Sequence, residues 1–311
     1  MAAGRGRSGC LAVAAVAVSA AILAPAADAT FPGRGGEILF HKSGPKHGTW
    51  AVDSRSGELR RLTKSFYAQE AQWGPDGETV VLSDEEDIVV LRDGDRESIT
   101  QTPRIGEHGP TFSGPAGGLI AFWAYNRKRP ESSGSQIWVM NADGSNRRRL
   151  TPGGDHLLDH NPSFSPDGSQ IAFDRAKRGG HGGTRVCVMR LDGSRQKCFA
   201  GPGDSYAPSF SPSGNSIVFT RLAKFGGESG HTRVARRRLE TGKTRYVTPA
   251  FLDATDPVFS PSGYRIAYIT HNPRTGADVI QATNLQGDKR PRVTPKRFRA
   301  RLNGPLSWSA E

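Results

Sequence analysis

Residues 161–173 read Asn-Pro-Ser-Phe-Ser-Pro-Asp-Gly-Ser-Gln-Ile-Ala-Phe. The stretch returns at 207–219 as Ala-Pro-Ser-Phe-Ser-Pro-Ser-Gly-Asn-Ser-Ile-Val-Phe, and at 256–268 as Asp-Pro-Val-Phe-Ser-Pro-Ser-Gly-Tyr-Arg-Ile-Ala-Tyr. Two earlier copies occupy 71–82 and, with one inserted residue, 109–122. Each copy has the same physical content. A short strand ends in an aromatic residue. Pro followed by Asp-Gly or Ser-Gly makes a tight turn, Pro presetting φ and Gly supplying a positive φ. An apolar run follows that is short enough for a buried strand.

Working outward, a second hairpin follows each copy. Its arms in one unit are Ile137-Trp138-Val139-Met140 and Arg148-Arg149-Leu150-Thr151, around Asn141-Ala142-Asp143-Gly144. Every unit therefore predicts four short antiparallel strands. The apolar strand begins at Ile38, Val80, Ile120, Ile171, Ile217 and Ile266, a repeat of 40 to 51 residues. That is the period of propeller blades. The segment around Leu306-Ser307-Trp308 copies the first half of a unit, and Gly36-Glu37-Ile38-Leu39-Phe40 supplies a second half. The expectation is an all-β, six-bladed β-propeller of four-stranded antiparallel blades, one blade closed by both termini. Such closure removes an open strand edge.

Composition agrees. Gly (38) and Pro (21) are frequent in the 311 residues, which disfavours helical bundles and doubly wound folds because both residues weaken helix interiors. Residues 1–29 read as a signal peptide: Arg5 and Arg7, an apolar stretch over 11–24, and Ala27-Asp28-Ala29 as the cleavage site. The mature chain then starts at Thr30 and places one domain at 30–311. The alternative is an uncleaved anchor. Export implies a secreted, periplasmic or cell-envelope location, with no transmembrane segment after signal removal. Cys187 and Cys198 flank a predicted hairpin turn, and an oxidising compartment permits a disulfide there, two buried thiols being the alternative.

The net charge is +12, concentrated at Arg147-Arg148-Arg149, Arg236-Arg237-Arg238 and 289–301. Attraction to an anionic envelope polymer is one reading. Solvated arginines on outer strands is the other. No basic motif interleaved with base-stacking aromatics occurs, so nucleic acid is not expected as a partner.

The run Pro-Ser-Phe-Ser-Pro-Asp-Gly-Ser-Gln-Ile-Ala-Phe, followed by Ile-Trp-Val-Met-Asn-Ala-Asp-Gly-Ser, resembles the blade repeat of the TolB-type propeller family over about residues 36–311. The resemblance implies a six-bladed propeller that binds proteins in the envelope. It departs from the family in having only about six residues between the signal and the first strand, so the family's separate N-terminal α/β domain is not expected. Similar blades precede hydrolase domains in prolyl-oligopeptidase-like peptidases, but no Gly-x-Ser-x-Gly elbow occurs here.

In this family the segment before each Pro-x-Phe-Ser-Pro strand lines the channel mouth. That implies a ring of Glu70, Glu107, His108, Asp159, His160, Asp204, Tyr206, Asp256 and Arg301. His108, His160 and Asp159 are the residues of that ring that would hold a divalent cation, as in propeller lyases and lactonases. The competing reading is that these acids and histidines cap blade ends by bonding backbone N–H groups. No catalytic residue is assigned and no cofactor is expected beyond that possible cation. The expected function is a monomeric, non-catalytic binding or scaffold propeller engaging a protein or an envelope polymer. A metal-dependent lyase or lactonase acting on an anionic saccharide or lactone is the alternative.

Overall fold

The computed structural model describes residues 36–309, apart from 115–116, 131, 155, 180–182, 200, 202, 223–229, 273–274 and 289. The expected signal, its cleavage site and His181 lie outside the described residues.

Among the described residues there are strands and no helix. The chain runs β1 (Glu37–Ser43), β2 (Gly48–Asp53) and β3 (Leu59–Arg61), then β4 (Gln69–Trp73), β5 (Val80–Asp84), β6 (Asp87–Arg92) and β7 (Asp95–Ser98). It continues with β8 (Ile105–Phe112), β9 (Leu119–Asn126), β10 (Ser135–Asn141) and β11 (Arg148–Arg149). Then come β12 (Leu157–Phe164), β13 (Gln170–Lys177), β14 (Arg185–Arg190) and β15 (Lys197–Cys198). The last are β16 (Ser205–Phe210), β17 (Ser216–Leu222), β18 (Thr232–Arg238), β19 (Thr244–Tyr246), β20 (Ala254–Phe259), β21 (Arg265–Asn272), β22 (Ala277–Asn284) and β23 (Arg301–Trp308).

Consecutive strands pair antiparallel in sheets β4–β7, β16–β19 and β20–β22. Strands β8–β11 and β12–β15 share one larger sheet, joined by the parallel pair Ser135↔Leu158 between β10 and β12. The remaining sheet has the order β23-β1-β2-β3, in which Ile38 lies opposite Trp308. The two ends of the described chain thus meet in one antiparallel sheet.

The turns are built as their residues dictate. In Gly74-Pro75-Asp76-Gly77, Gly77 takes φ +68°, and one Asp76 oxygen accepts the N–H groups of Glu78 and Thr79. Asp167 does the same for Ser169, Asp143 for Ser145 and Asp192 for Ser194. The hydrophobic clusters lie between neighbouring sheets. Ala172, Val186 and Val188 of one unit meet Phe210, Ile217 and Phe219 of the next. The terminal sheet faces two others: Leu39 and Ala51 join Trp73, Val80 and Leu82, while Ile38 and Trp308 join Val258, Ala267 and Ile280. Trp73, Phe112, Phe164, Phe210, Phe259 and Trp308, one at the end of each first strand, are all buried.

The first strand of each unit carries a register shift: between Gln69 and Gln72, His108 and Thr111, His160 and Ser163, Tyr206 and Ser209, and Thr255 and Val258. At each shift one residue has a left-handed backbone: Glu70, Gly109, Asn161, Ala207 and Asp256, with φ of 51–56°. Gly304 takes φ +78° at the matching place in β23. This is a β-bulge repeated through the fold. It frees an N–H from the ladder and aims it at the neighbouring sheet. Gly109 N donates to Glu70 Oε2 (2.7 Å), Ala207 N to Asp174 Oδ2 (2.9 Å) and Asp256 N to Thr220 Oγ1 (3.0 Å).

Cys187 and Cys198 are opposite each other across β14 and β15, and their sulfurs are joined. Among the described residues no helix is long and apolar enough to cross a membrane.

Candidate functional site

The segments expected as mouth loops are strand. All of the singled-out residues except Asp204 lie inside β4, β8, β12, β16, β20 or β23. Their polar side chains read as loop in the sequence, but they sit within strands, bonded to partners in their own sheet, as Asp159 is to Arg175, or in the next, as Glu70 is to Gly109 N. Because consecutive strand residues face opposite sides, the expected single ring divides.

One set turns into the seams. Asp159 is fully buried and receives two bonds from Arg175, Nε to Oδ1 at 2.6 Å and Nη2 to Oδ2 at 2.7 Å. Glu107 is buried on Arg147 Nη1 (3.1 Å) and Thr102 Oγ1 (3.2 Å), and burial pushes its carboxyl above the usual range. Asp204, just before β16, accepts Thr184 N at 2.7 Å and fixes the approach to β14.

A second set shares one aromatic-lined wall. The His108 ring stacks on Trp123 at 4.6 Å and on Tyr125 at 5.8 Å, and His160 meets the other edge of Trp123 at 4.3 Å. His160 Nε2 lies 2.8 Å from Ser135 Oγ, and burial lowers its pKa to about 4. Burial also lowers that of His108. Glu70 accepts Ser83 Oγ at 2.9 Å as well as Gly109 N, and its Oε2 is 3.7 Å from His108 Nδ1. Glu86 is held by Tyr125 Oη (2.9 Å) and Arg127 Nε (2.7 Å). Glu70, Glu85, Glu86, His108, Arg127 and Tyr67 line an open cavity of about 560 Å³. That is within the range of ligand sites. Tyr67 lines its edge, 58% exposed, and Phe66, 51% exposed, packs edge to face on Tyr67 at 5.6 Å.

The third group is Asp174, Tyr206 and Asp256. Burial raises Asp174 to about 7 and Asp256 to about 6. Burial, with Asp256 and Asp174 nearby, raises Tyr206 to about 12. Asp256, with Asn161, Pro162 and Ser209, lines a narrow cavity of about 40 Å³, room for a few waters. Arg301 stands apart, its Nη1 3.1 Å from His271 Nδ1.

The Asp174 assignment has a pH signature. Its folded carboxyl keeps a proton that the unfolded one, near 3.8, has released. The stability it contributes is full below that value and is lost as pH rises towards 7. The depressed histidines act oppositely, losing stability as pH falls below 6.5. The informative quantity is therefore a difference: the midpoint of the wild type minus that of Asp174→Asn is expected to fall between pH 4 and 7.5. A flat difference would remove the buried-acid assignment.

Of the residues expected to hold a cation, Asp159 is paired with Arg175 and His160 with Ser135. Among the described residues, no three His, Cys, Asp or Glu side chains converge to hold a metal ion. Sequence reasoning missed Trp123, Asp174, Glu86 and Arg127. A signal existed for the first two. The fourth residue of the apolar strand is His41, Ser83, Trp123, Asp174, Thr220 and Ile269 in successive units, so that a polar residue interrupts the apolar run in four of the six and a large aromatic stands there in a fifth. Arg148 and Arg149 lie on β11 and Arg236–Arg238 on β18, strands late in their units, and Arg237 stacks on Phe199 at 4.4 Å.

Comparison with known proteins matches this architecture. TolB from Acinetobacter baumannii is 20% identical, with a TM-score of 0.72 over 90% of this chain and 68% of that one. The putative TolB from Agrobacterium tumefaciens is 18% identical, with a TM-score of 0.68 over 88% and 96%. An oligogalacturonate lyase in complex with manganese is 13% identical, with a TM-score of 0.59 over 81% and 72%. At these identities the likeness is one of fold. No curated protein matches the chain by sequence. The signature described as TolB beta propeller domain matches residues 87–310. That span is well over half of the sequence, and the chain belongs to the TolB β-propeller domain family.

Proposed function

We propose that the chain is an exported, monomeric, non-catalytic binding propeller of six four-stranded blades closed into a ring through β1 and β23. The pairing of Ile38 with Trp308, and the contact of β23 with both β20 and β4, support the closure. The apolar segment at 11–24 and the cross-linked Cys187 and Cys198 support an envelope or secreted location. The partner is a protein. The observation that carries this reading is the cavity beside Phe66 and Tyr67. Two of its carboxylates, Glu70 and Glu86, are held by neighbouring donors, and two exposed aromatics stand beside it, as at docking hot spots. Three glutamates on its wall repel a polyanionic envelope polymer and favour a segment with basic side chains.

The test is capture of envelope proteins by the mature chain, residues 30–311, and by a Phe66→Ala, Tyr67→Ala variant. Loss of a specific partner, with at least tenfold weaker binding, is expected; an unchanged set overturns the proposal. The second reading is a metal-dependent enzyme, favoured by the fold likeness to a manganese-bound lyase. Equilibrium dialysis against manganese decides. One bound ion per chain, lost in His108→Ala or His160→Ala, would replace the binding module with the enzyme.

A further inference from the structure

The repeat supplies an internal comparison at the outermost strand of each unit. In four units a threonine Oγ1 latches that strand by accepting an N–H from the strand inside it. Thr49 N donates to Thr63 (2.9 Å), Ile88 N to Thr100 (2.7 Å), Ile137 N to Thr151 (3.0 Å) and Val234 N to Thr248 (2.9 Å). The residue before each threonine returns its own N–H to the same inner residue, as Leu150 N does to Ile137 O and Val247 N to Val234 O. The last unit also has a threonine, Thr294, after Val293, whose N–H goes to Ile280 O. The unit of β12–β15 departs from this. Phe199 N bonds Val186 O at 2.8 Å, but the next residue in the sequence is Ala200. Ala200 lies outside the described residues, and a methyl group accepts no hydrogen bond wherever it stands.

One rung earlier stands the disulfide. Cys198 is opposite Cys187 at the place where other units pair Trp50 with Arg61, Val89 with Ser98, Trp138 with Arg149 and Ala235 with Tyr246. Strand β15 has two rungs on β14, as β11 has on β10, and β11 is held with Thr151 and no cross-link. The two cysteines differ in access. Cys187 is fully buried in the cluster of Leu150, Phe164 and Phe173, whereas Cys198 is exposed. Phe199 is buried in the opposite seam, with Phe210 and Phe219.

We propose that the Cys187–Cys198 bond is a reducible latch standing in for the missing threonine, and that Cys198 Sγ is where an external dithiol opens it. A thiolate of the dithiol attacks Sγ of the exposed Cys198 and forms a mixed disulfide. The electron pair of the broken bond leaves on Cys187, which takes up a proton. The second thiol of the dithiol then displaces Cys198 as a thiol. The dithiol ends oxidised to its own disulfide, and the protein ends with two thiols. Strand β15 is left with two rungs and no side-chain latch, so it and Phe199 open locally while the latched units stay closed. The site is independent of the cavity at Tyr67.

The probe is dithiothreitol on the mature chain without denaturant, followed by amide hydrogen exchange. Reduction is expected to speed exchange at Phe199 at least tenfold and to leave Leu150 and Val247, the same position in latched units, within about twofold. Ala200→Thr supplies the missing hydroxyl. In the reduced protein it is expected to slow exchange at Phe199 about fivefold, the worth of one hydrogen bond. The converse needs no reductant and decides where Ala200→Thr does not fold: Thr151→Ala is expected to speed Leu150 about fivefold. Brief exposure to glutathione, quenched in acid, reads the point of attack, with most of the adduct expected on Cys198. A bond that survives dithiothreitol in the folded protein, equal acceleration at Phe199, Leu150 and Val247, unchanged exchange in either threonine variant, or adduct divided equally between the two sulfurs overturns the latch.

Discussion

Replacing Trp308 with alanine is expected to lower unfolding stability by about 3–5 kcal/mol, the range for deleting a fully buried large aromatic. Trp308 is fully buried among Ile38, Val258 and Ala267, and its indole Nε1 donates to Gly36 O at 3.2 Å. The substitution removes a core side chain and a tie between the two ends of the described chain. Chemical denaturation monitored by circular dichroism measures it. Tyr264→Ala is the control, because Tyr264 is 75% exposed and surface changes stay within roughly 0.5 kcal/mol. If the two variants lose the same small amount, β23 does not hold the terminal sheet together.

The second large effect is at Asp159. Asp159→Ala strips the only carboxylate that pairs with Arg175 among the described residues, leaving a guanidinium whose side chain is 17% exposed. The expected loss is about 3–5 kcal/mol, the cost of an uncompensated buried charge. Replacing both residues tests the cause. Asp159→Leu with Arg175→Met is expected to recover most of the loss, since well-packed apolar pairs often substitute for buried ion pairs without penalty. If the double variant is as unstable as Asp159→Ala, the damage comes from packing and not from the stranded charge.

The fold was legible because its information is local. Pro75-Asp76-Gly77 and Pro166-Asp167-Gly168 set φ over a few residues, and that chemistry recurs at a period that can be counted. The arrangement of the site was not local. Glu107 and His108 are adjacent in the chain, as are Asp159 and His160, and the family resemblance implies one rim for all of them. The pleat sends the acid of each pair into a seam and the histidine to the aromatic wall. Reading that division required the register of β8 on β9 and of β12 on β13, including the bulge between them. The bulge itself left a trace, a residue such as Gly109, Asn161 or Asp256 before proline, types that tolerate a left-handed backbone. Ala207 and Glu70 do the same without that preference, which hid the pattern. The reading that acids bond neighbouring backbone N–H groups describes Glu70 and Asp204. Asp174 does so too, from the strand position just after the apolar run Ile171-Ala172-Phe173.

The meeting of β1 with β23 has a mechanical consequence. The strands run antiparallel, and Ile38 sits beside Trp308 at the edge where both chain ends leave the sheet. A pull applied to the two ends loads that ladder one rung at a time, as a zipper is opened, instead of shearing all its rungs together. The sheet in which β1 pairs with β23 is therefore also where tension between the two ends of the described chain would first part it.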